Sequence, residues 1–344
     1  MDVLDASDSR LASLTQWVIE DLGFAGAAIA PASVDASFRR YFRVIRGADS
    51  YIVMDAPPDK EDSGPFLQVA RILGNLDLNV PIILARDMER GFLLLSDLGS
   101  RQYLDALGSD GAADELYADA LKSLRAMQTA DARISQALPR YDRPLLLREM
   151  ELLPEWFLKR HLGLTLEAPE REMLTRLFES LVESAVSQPG CFVHRDYHSR
   201  NLLVTHNNNP GILDFQDAVW GPVTYDLASL LKDAYIAWPP ARVRQWTLQY
   251  RESLLEAGFK LDADAARFMR WFDLMGLQRH IKVLGIFARL FYRDGKSQYL
   301  KDLPRVLSYA RDTALSYPET AAFAEFIVSR IDLAFPAAQQ RALA

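Results

Sequence analysis

Apolar positions recur at helical spacing from the start of the chain. Leu11, Leu14, Trp17, Val18 and Leu22 share one helix face over residues 9–22, and Gly23 supplies a stop. Two β-prone runs follow at residues 41–45 and 51–54, separated by Gly47-Ala48-Asp49-Ser50, which suits a hairpin turn. A helix is expected over 65–76 with Pro65 in its first turn. Two further apolar runs, 81–85 and 91–95, flank a charged turn. Together these predict four or more strands with one inserted helix. After Ser96-Asp97-Leu98-Gly99 the pattern becomes helical, over 112–127, 145–161, 171–186 and 263–290. Only residues 191–193, 201–204 and 211–213 read as short strands there. The expected architecture is therefore α+β in two lobes: a small N-terminal lobe over 1–97, with an antiparallel sheet and one helix, and a larger, mainly helical lobe over 98–344.

Composition narrows the possible functions. The 344 residues exceed one ordinary single-core domain. With 49% hydrophobic and 25% charged residues the chain has the balance of a globular protein rather than a disordered one. A net charge of −7 lacks the electropositive field that nucleic-acid backbones require, so nucleic acid is not expected as a partner. The lone Cys191 permits neither an intramolecular disulfide nor a multi-cysteine zinc site, and reads as a small buried apolar residue. Met1-Asp2-Val3-Leu4-Asp5 has no basic region leading into an apolar run, and no later run has the length of a membrane span. The expectation is a soluble cytoplasmic protein with no membrane partner and no obligate protein partner.

Candidate chemistry concentrates in one segment. His194-Arg195-Asp196-Tyr197-His198-Ser199-Arg200-Asn201 puts a carboxylate and an amide oxygen five residues apart, in a segment flanked by apolar runs. Asp214 follows Gly211-Ile212-Leu213, thirteen residues after Asn201. Such hard oxygens suit magnesium. Each is also an ordinary turn residue taken singly; three in this order point to phosphoryl transfer. His194 and His198 lie four apart, but no helical pattern surrounds them and no third zinc ligand is near.

The H-x-D-x-x-x-x-N loop and the Asp214-Phe215 element resemble the catalytic and metal-binding motifs of protein kinases and aminoglycoside phosphotransferases. The resemblance implies a kinase-like fold that uses ATP and Mg2+. By it, Asp196 is the catalytic carboxylate, Asn201 and Asp214 are metal ligands, and Asp226 accepts from catalytic-loop amides. Two features depart from the family. Residues 34–42, where the phosphate-covering loop belongs, contain no glycine, so Ala36 and Ser37 are expected to let backbone amides approach the phosphates, with the Ser37 hydroxyl as a donor. The strand at 51–55 carries no lysine, so Arg39, Arg40 or Arg43 is expected to grip phosphate instead, and Glu61 and Asp62 are left without the lysine they would pair with. Ser96, Asp97 and Leu98 are expected to offer backbone groups to adenine.

The segments 37–43, 51–58, 91–99 and 277–285 resemble one subgroup, the bacterial anomeric kinases for N-acetylmuramate and N-acetylglucosamine in peptidoglycan recycling, over nearly the whole chain. That implies a small amino-sugar partner phosphorylated at its C1 hydroxyl. Candidate sugar contacts are His198, Asp217, Arg279 and His280, with Arg148, Glu149 and Trp156 as further suppliers. An aminoglycoside, choline or homoserine kinase on the same scaffold, and a nucleotide-binding module without catalysis, are the alternatives.

Overall fold

The computed structural model of the protein describes residues 8–34, 38–108, 110–131, 133 and 137–343. Its chain divides into two compact units: Met1–Arg101 with Leu203–Asp217, and Gln102–Leu202 with Ala218–Ala344. The sequence pattern suggests one boundary near residue 98, whereas the segment Leu203–Asp217 belongs with the first unit. Long-range bonds make it so. Val204 N donates to Arg101 O (2.8 Å), Ile212 N to Asn79 O (2.8 Å) and Asn79 Nδ2 to Thr205 Oγ1 (3.2 Å), while the Phe215 ring lies 4.9 Å from that of Phe66. Window-based periodicity cannot register bonds between segments so distant in the chain.

In the first unit, Asp8 caps α1 (Ser9–Gln16) by accepting from Arg10 N and Leu11 N. The helix runs on through a wider turn, Trp17–Asp21. Strands β1 (Ala28–Val34), β2 (Arg40–Arg46) and β3 (Asp49–Asp55), helix α2 (Gly64–Gly74), and strands β4 (Ile83–Asp87) and β5 (Phe92–Ser96) follow. The five strands form one sheet in the order β1-β2-β3-β5-β4, every pairing antiparallel. Leu14, Trp17 and Val18 pack on Phe42, Val44, Val53, Phe92 and Leu94, so the apolar face read from the sequence at 11–22 is the face that covers the sheet. Gly91 has φ 76°, and a Cβ there would meet the Ala56 carbonyl oxygen at 2.0 Å, so the β4–β5 turn requires glycine.

The second unit contains α3 (Tyr103–Ala106), α4 (Asp110–Gln128), α5 (Arg143–Met150), a helical run of wider pitch at Leu153–His161, and α6 (Ala168–Val186). The helix expected over 145–161 is thus two elements, broken where Pro154 removes a backbone donor. Next in chain order come β6 (Gly190–Val193), the short β7 (Leu202–Leu203) and β8 (Gly211–Ile212), of which β8 belongs to the first unit, and β9 (Val219–Pro222), which pairs antiparallel with β6. Helices α7 (Tyr225–Leu231), α8 (Pro240–Glu256), α9 (Ala265–Tyr292), α10 (Leu303–Ser316), α11 (Ala321–Phe326) and α12 (Asp332–Leu343) complete the chain. α9 is buried on nearly every face, including the polar Gln278, Arg279, His280 and Lys282. A Cβ at Gly285 would meet the Leu152 backbone at 2.5 Å, so glycine there lets α9 pack closely against the start of the Leu153–His161 run. No helix among the described residues is long and apolar enough to cross a membrane.

Candidate active site

The loop after β6 is fastened at both ends. Cys191, Phe192 and Val193 are buried, so β6 delivers the chain rigidly to His194. The amides of His194 and Arg195 donate to the carboxylate of Asp226 in the first turn of α7, at 2.6 and 3.0 Å. These bonds hold Arg195 at φ 76°, a left-handed conformation that side-chain-bearing residues avoid unless their surroundings impose it. Asn201 Nδ2 donates to Asp196 O (3.0 Å), Asn201 N to His198 O (2.9 Å) and Ser199 N to Asp233 Oδ2 (2.9 Å). The Tyr197 hydroxyl donates to Ala120 O at 2.8 Å beneath the loop. With its backbone so fixed, Asp196 keeps a carboxylate 37% exposed. His194 Nδ1 accepts from Asp196 N at 3.3 Å and so braces the loop.

Three cations surround that carboxylate. Arg279 Nη1 donates to Arg195 O (2.7 Å) and to the Tyr225 hydroxyl (3.1 Å), and its Nη2 lies 3.6 Å from Asp196 Oδ1. Lys282 Nζ lies 2.9 Å from Glu149 Oε1 and donates to Tyr225 at 3.0 Å. Arg195 pairs with the same Glu149 oxygen at 2.5 Å, and the Tyr141 hydroxyl donates to Glu149 Oε2. Burial pushes Asp196 toward its neutral form, but Lys282 and Arg279 outweigh it and hold the carboxyl far below the ordinary aspartate range. Burial likewise raises Glu149, and Lys282 and Arg195 bring it below its usual value. Asp226 is pushed up to about 7 by burial against the opposing pull of the two amides and of Arg279.

In the first unit Asp214 follows β8 with φ 62°, another side-chain-bearing residue in the left-handed region, and its Oδ1 accepts from Gln216 Nε2 at 2.7 Å. Asp217 is exposed. Ser37, the expected loop donor, lies outside the described residues. The three candidate arginines are all engaged. Arg39, 7% exposed, pairs with Glu61 Oε2 at 3.1 Å, and Glu61 Oε1 also accepts from Phe38 N at 3.0 Å. Arg40 binds Asp55 (2.6 Å) and Asp8, and Arg10 binds Asp55 as well (2.5 Å). Arg43 holds Asp97 through Nε (2.7 Å) and Nη2 (3.2 Å) and reaches Gly99 O (3.2 Å). Burial raises Asp97, but Arg43, the Ser50 hydroxyl and the Gly99 amide bring it below the ordinary range. Ser96 Oγ accepts from Ile82 N at 2.8 Å. The Asp97 and Ser96 side chains therefore brace the segment 96–99.

The second-unit candidates separate in the same way. His198 packs edge-on against Tyr235 at 5.3 Å, and burial lowers its basicity against the opposing Asp233 and Asp196. His280 stacks on Tyr309 (4.9 Å), bonds Lys232 O through Nε2 (2.9 Å), and burial pushes it down to about 3. Arg148 is exposed, and Trp156 lies under Arg160 at 4.6 Å. Sequence reasoning missed Lys282, Tyr225 and Asp233 as partners of the loop. Lys282 stands inside the 277–285 segment singled out above, yet nothing local tells its buried direction from an exposed one.

The profile described as the phosphotransferase enzyme family matches residues 28–272. The chain is 46% identical over 330 residues to an N-acetylmuramate/N-acetylglucosamine kinase of Pseudomonas putida, covering 93% of this chain and 96% of that protein. It is 50% identical over 303 residues to a protein of the same name from Pseudomonas aeruginosa, with 88% of each covered. Among solved structures, an ADP-bound aminoglycoside phosphotransferase matches with a TM-score of 0.56 at 19% identity, covering 89% of this chain and 99% of that one. An ethanolamine kinase from Plasmodium vivax matches with a TM-score of 0.62 at 10% identity, over 86% and 85% of the two chains. These structures share the kinase-like fold with the chain.

Proposed function

The chain belongs to the phosphotransferase enzyme family, and from that premise we propose that it is an ATP-dependent kinase of the anomeric C1 hydroxyl of N-acetylmuramate and N-acetylglucosamine, acting in the cytoplasm in cell-wall recycling. The acceptors follow from the names of relatives up to 50% identical over most of the chain. The observation that carries the reaction class is Asp196: an ionised, partly exposed carboxylate whose loop is pinned through Asp226, Asp233 and Asn201.

Phosphoryl transfer leaves the protein little covalent work, so positioning and charge dominate. Asp196 accepts or orients the proton of the attacking hydroxyl. Arg279 and Lys282 keep it ionised, and Arg279 also fixes the loop through Arg195 O. Asn201 and Asp214 each present a hard oxygen of the kind Mg2+ prefers, and the Asn201 amide is turned by the bond from its Nδ2 to Asp196 O. When bound, the metal supplies neutralisation of phosphate charge. Arg39, nearly buried and paired with Glu61 ahead of α2, takes the part of the missing strand lysine. Arg40 and Arg43, committed to Asp55, Asp8 and Asp97, brace the sheet. For adenine, the segment 96–98 offers its backbone. The cationic surroundings of Asp196 favour a neutral or anionic acceptor over a polycationic aminoglycoside.

The test is ADP release from ATP and Mg2+ across a panel of acceptors: the two amino sugars, choline, homoserine and an aminoglycoside. The amino sugars should be turned over, phosphorus NMR should find the product phosphate on C1, and Asp196→Ala should lose about 10²–10⁴-fold in kcat. No acceptor-dependent release, or preference for another acceptor, would refute the reading.

A further inference from the structure

Resting on the acceptor assignment above, we infer that Arg200, laid against the ring of Tyr235, binds the lactyl carboxylate that distinguishes N-acetylmuramate from N-acetylglucosamine. The two sugars differ by a lactyl ether on C3, one ring position beyond the neighbour of C1. The same enzyme must therefore seat a carboxylate or leave that space to water. An ionised carboxylate taken from water without a partner is costly, so seating the lactyl group calls for a cation on that side of the acceptor. Arg200 shares a loop with Asp196, the residue that faces C1 in this reading, and lies four positions further along it.

The other cations around that loop are spent. Arg195 and Lys282 share Glu149, Arg279 holds Arg195 O, Tyr225 and Asp196, Lys232 pairs with Asp273 (2.8 Å), and Arg305 pairs with Asp302 (2.9 Å). Arg200 has no ion pair and no side-chain hydrogen bond among the described residues; its contact is the Tyr235 ring, 3.8 Å from guanidinium carbon to centroid. Stacking of this kind fixes the plane of the guanidinium and leaves its edge N–H groups to a planar anion, which arginine takes bidentately.

The platform is built rather than incidental. Asp233, buried, accepts from Ser199 N through one carboxylate oxygen and from Tyr235 N through the other, each at 2.9 Å, so a single side chain sets Tyr235 against the catalytic loop. Tyr235 is backed by Phe287 at 5.9 Å, itself backed by Tyr299 at 5.1 Å, and Arg305 Nη1 holds Ala234 O at 2.8 Å. His198 meets the same ring, and its buried Nδ1 has no hydrogen-bond partner.

The experiment measures kcat/KM for both sugars, and for the methyl ester of N-acetylmuramate, in the parent enzyme, Arg200→Met and Arg200→Lys. The ratio of N-acetylmuramate to N-acetylglucosamine should fall about 10–100-fold in Arg200→Met, mainly through KM, with Arg200→Lys between. The parent should discriminate against the ester by a similar factor, and the two losses should not add, as expected when both remove one interaction. Turnover of N-acetylglucosamine reports that each variant is folded. Equal loss for both sugars, as a phosphate contact or a structural role would give, overturns the inference, as does an unchanged ratio. A parent enzyme that phosphorylates neither sugar overturns the acceptor assignment and this inference with it.

Discussion

Arg39 and Arg43 in the first unit and the cations beside Asp196 in the second are held in different ways. In the first unit Arg39 pairs with Glu61 and Arg43 with Asp97, while Asp55 takes both Arg40 and Arg10 and Arg40 also reaches Asp8. In the second unit one carboxylate, Glu149, serves Arg195, Lys282 and the Tyr141 hydroxyl together, while Arg279 faces Asp196. A discrete pair fails locally when one member is lost. A shared hub fails collectively, because its loss takes one counter-charge from two buried cations at once. A partly solvated pair such as Arg43–Asp97 contributes about 1 kcal/mol, whereas stranding a buried partner costs about 3–5 kcal/mol.

The hub gives the sharpest test of that contrast. Glu149→Ala removes the carboxylate that Arg195 and Lys282 share, so stability should fall by about 3–5 kcal/mol in urea unfolding. A loss no larger than that of Arg43→Ala would break the comparison. Within the first unit, Arg39→Ala should lower kcat/KM for ATP about 10²-fold, as removal of one phosphate-stabilising contact does. Arg43→Ala should instead cost about 1 kcal/mol of stability and leave ATP turnover nearly intact. If Arg43 matters for ATP and Arg39 does not, the roles given to the two are reversed. The smallest effect is on pH. Because the folded-state pKa of Glu149 is depressed, its contribution is complete above the ordinary glutamate value of about 4.3 and is lost as pH falls through the lower folded value. Glu149→Gln should therefore show a shallower loss of stability on acidification below about pH 5 than the parent, and an identical acid limb would show that the network does not hold the charge.

Much of the architecture is legible in local pattern. Strands β2 to β8, the covering helix and α9 follow from apolar spacing, because a helix face or a strand face buries its own neighbours in sequence, whereas β1 (Ala28–Val34) and β9 (Val219–Pro222) are not read from it. Asp226 is legible as the acceptor for the loop amides only through the resemblance to known kinases, and the geometry bears that out. Other elements escape the pattern. The break at Pro154 hides within a continuous apolar periodicity, and α8 carries charge at short intervals, so neither is evident without neighbours to pack against.

By itself the sequence determined the phosphotransferase motif, the α+β division of elements and the absence of the strand lysine, since these reside in residue identity and short-range spacing. The tertiary structure decided which arginines are committed, which cations meet Asp196, and that Arg200 lies open on Tyr235. Arg43 meets Asp97 and Lys282 meets Glu149 across long stretches of chain. Such pairings depend on strand register and helix packing, and residue spacing along the chain does not encode them.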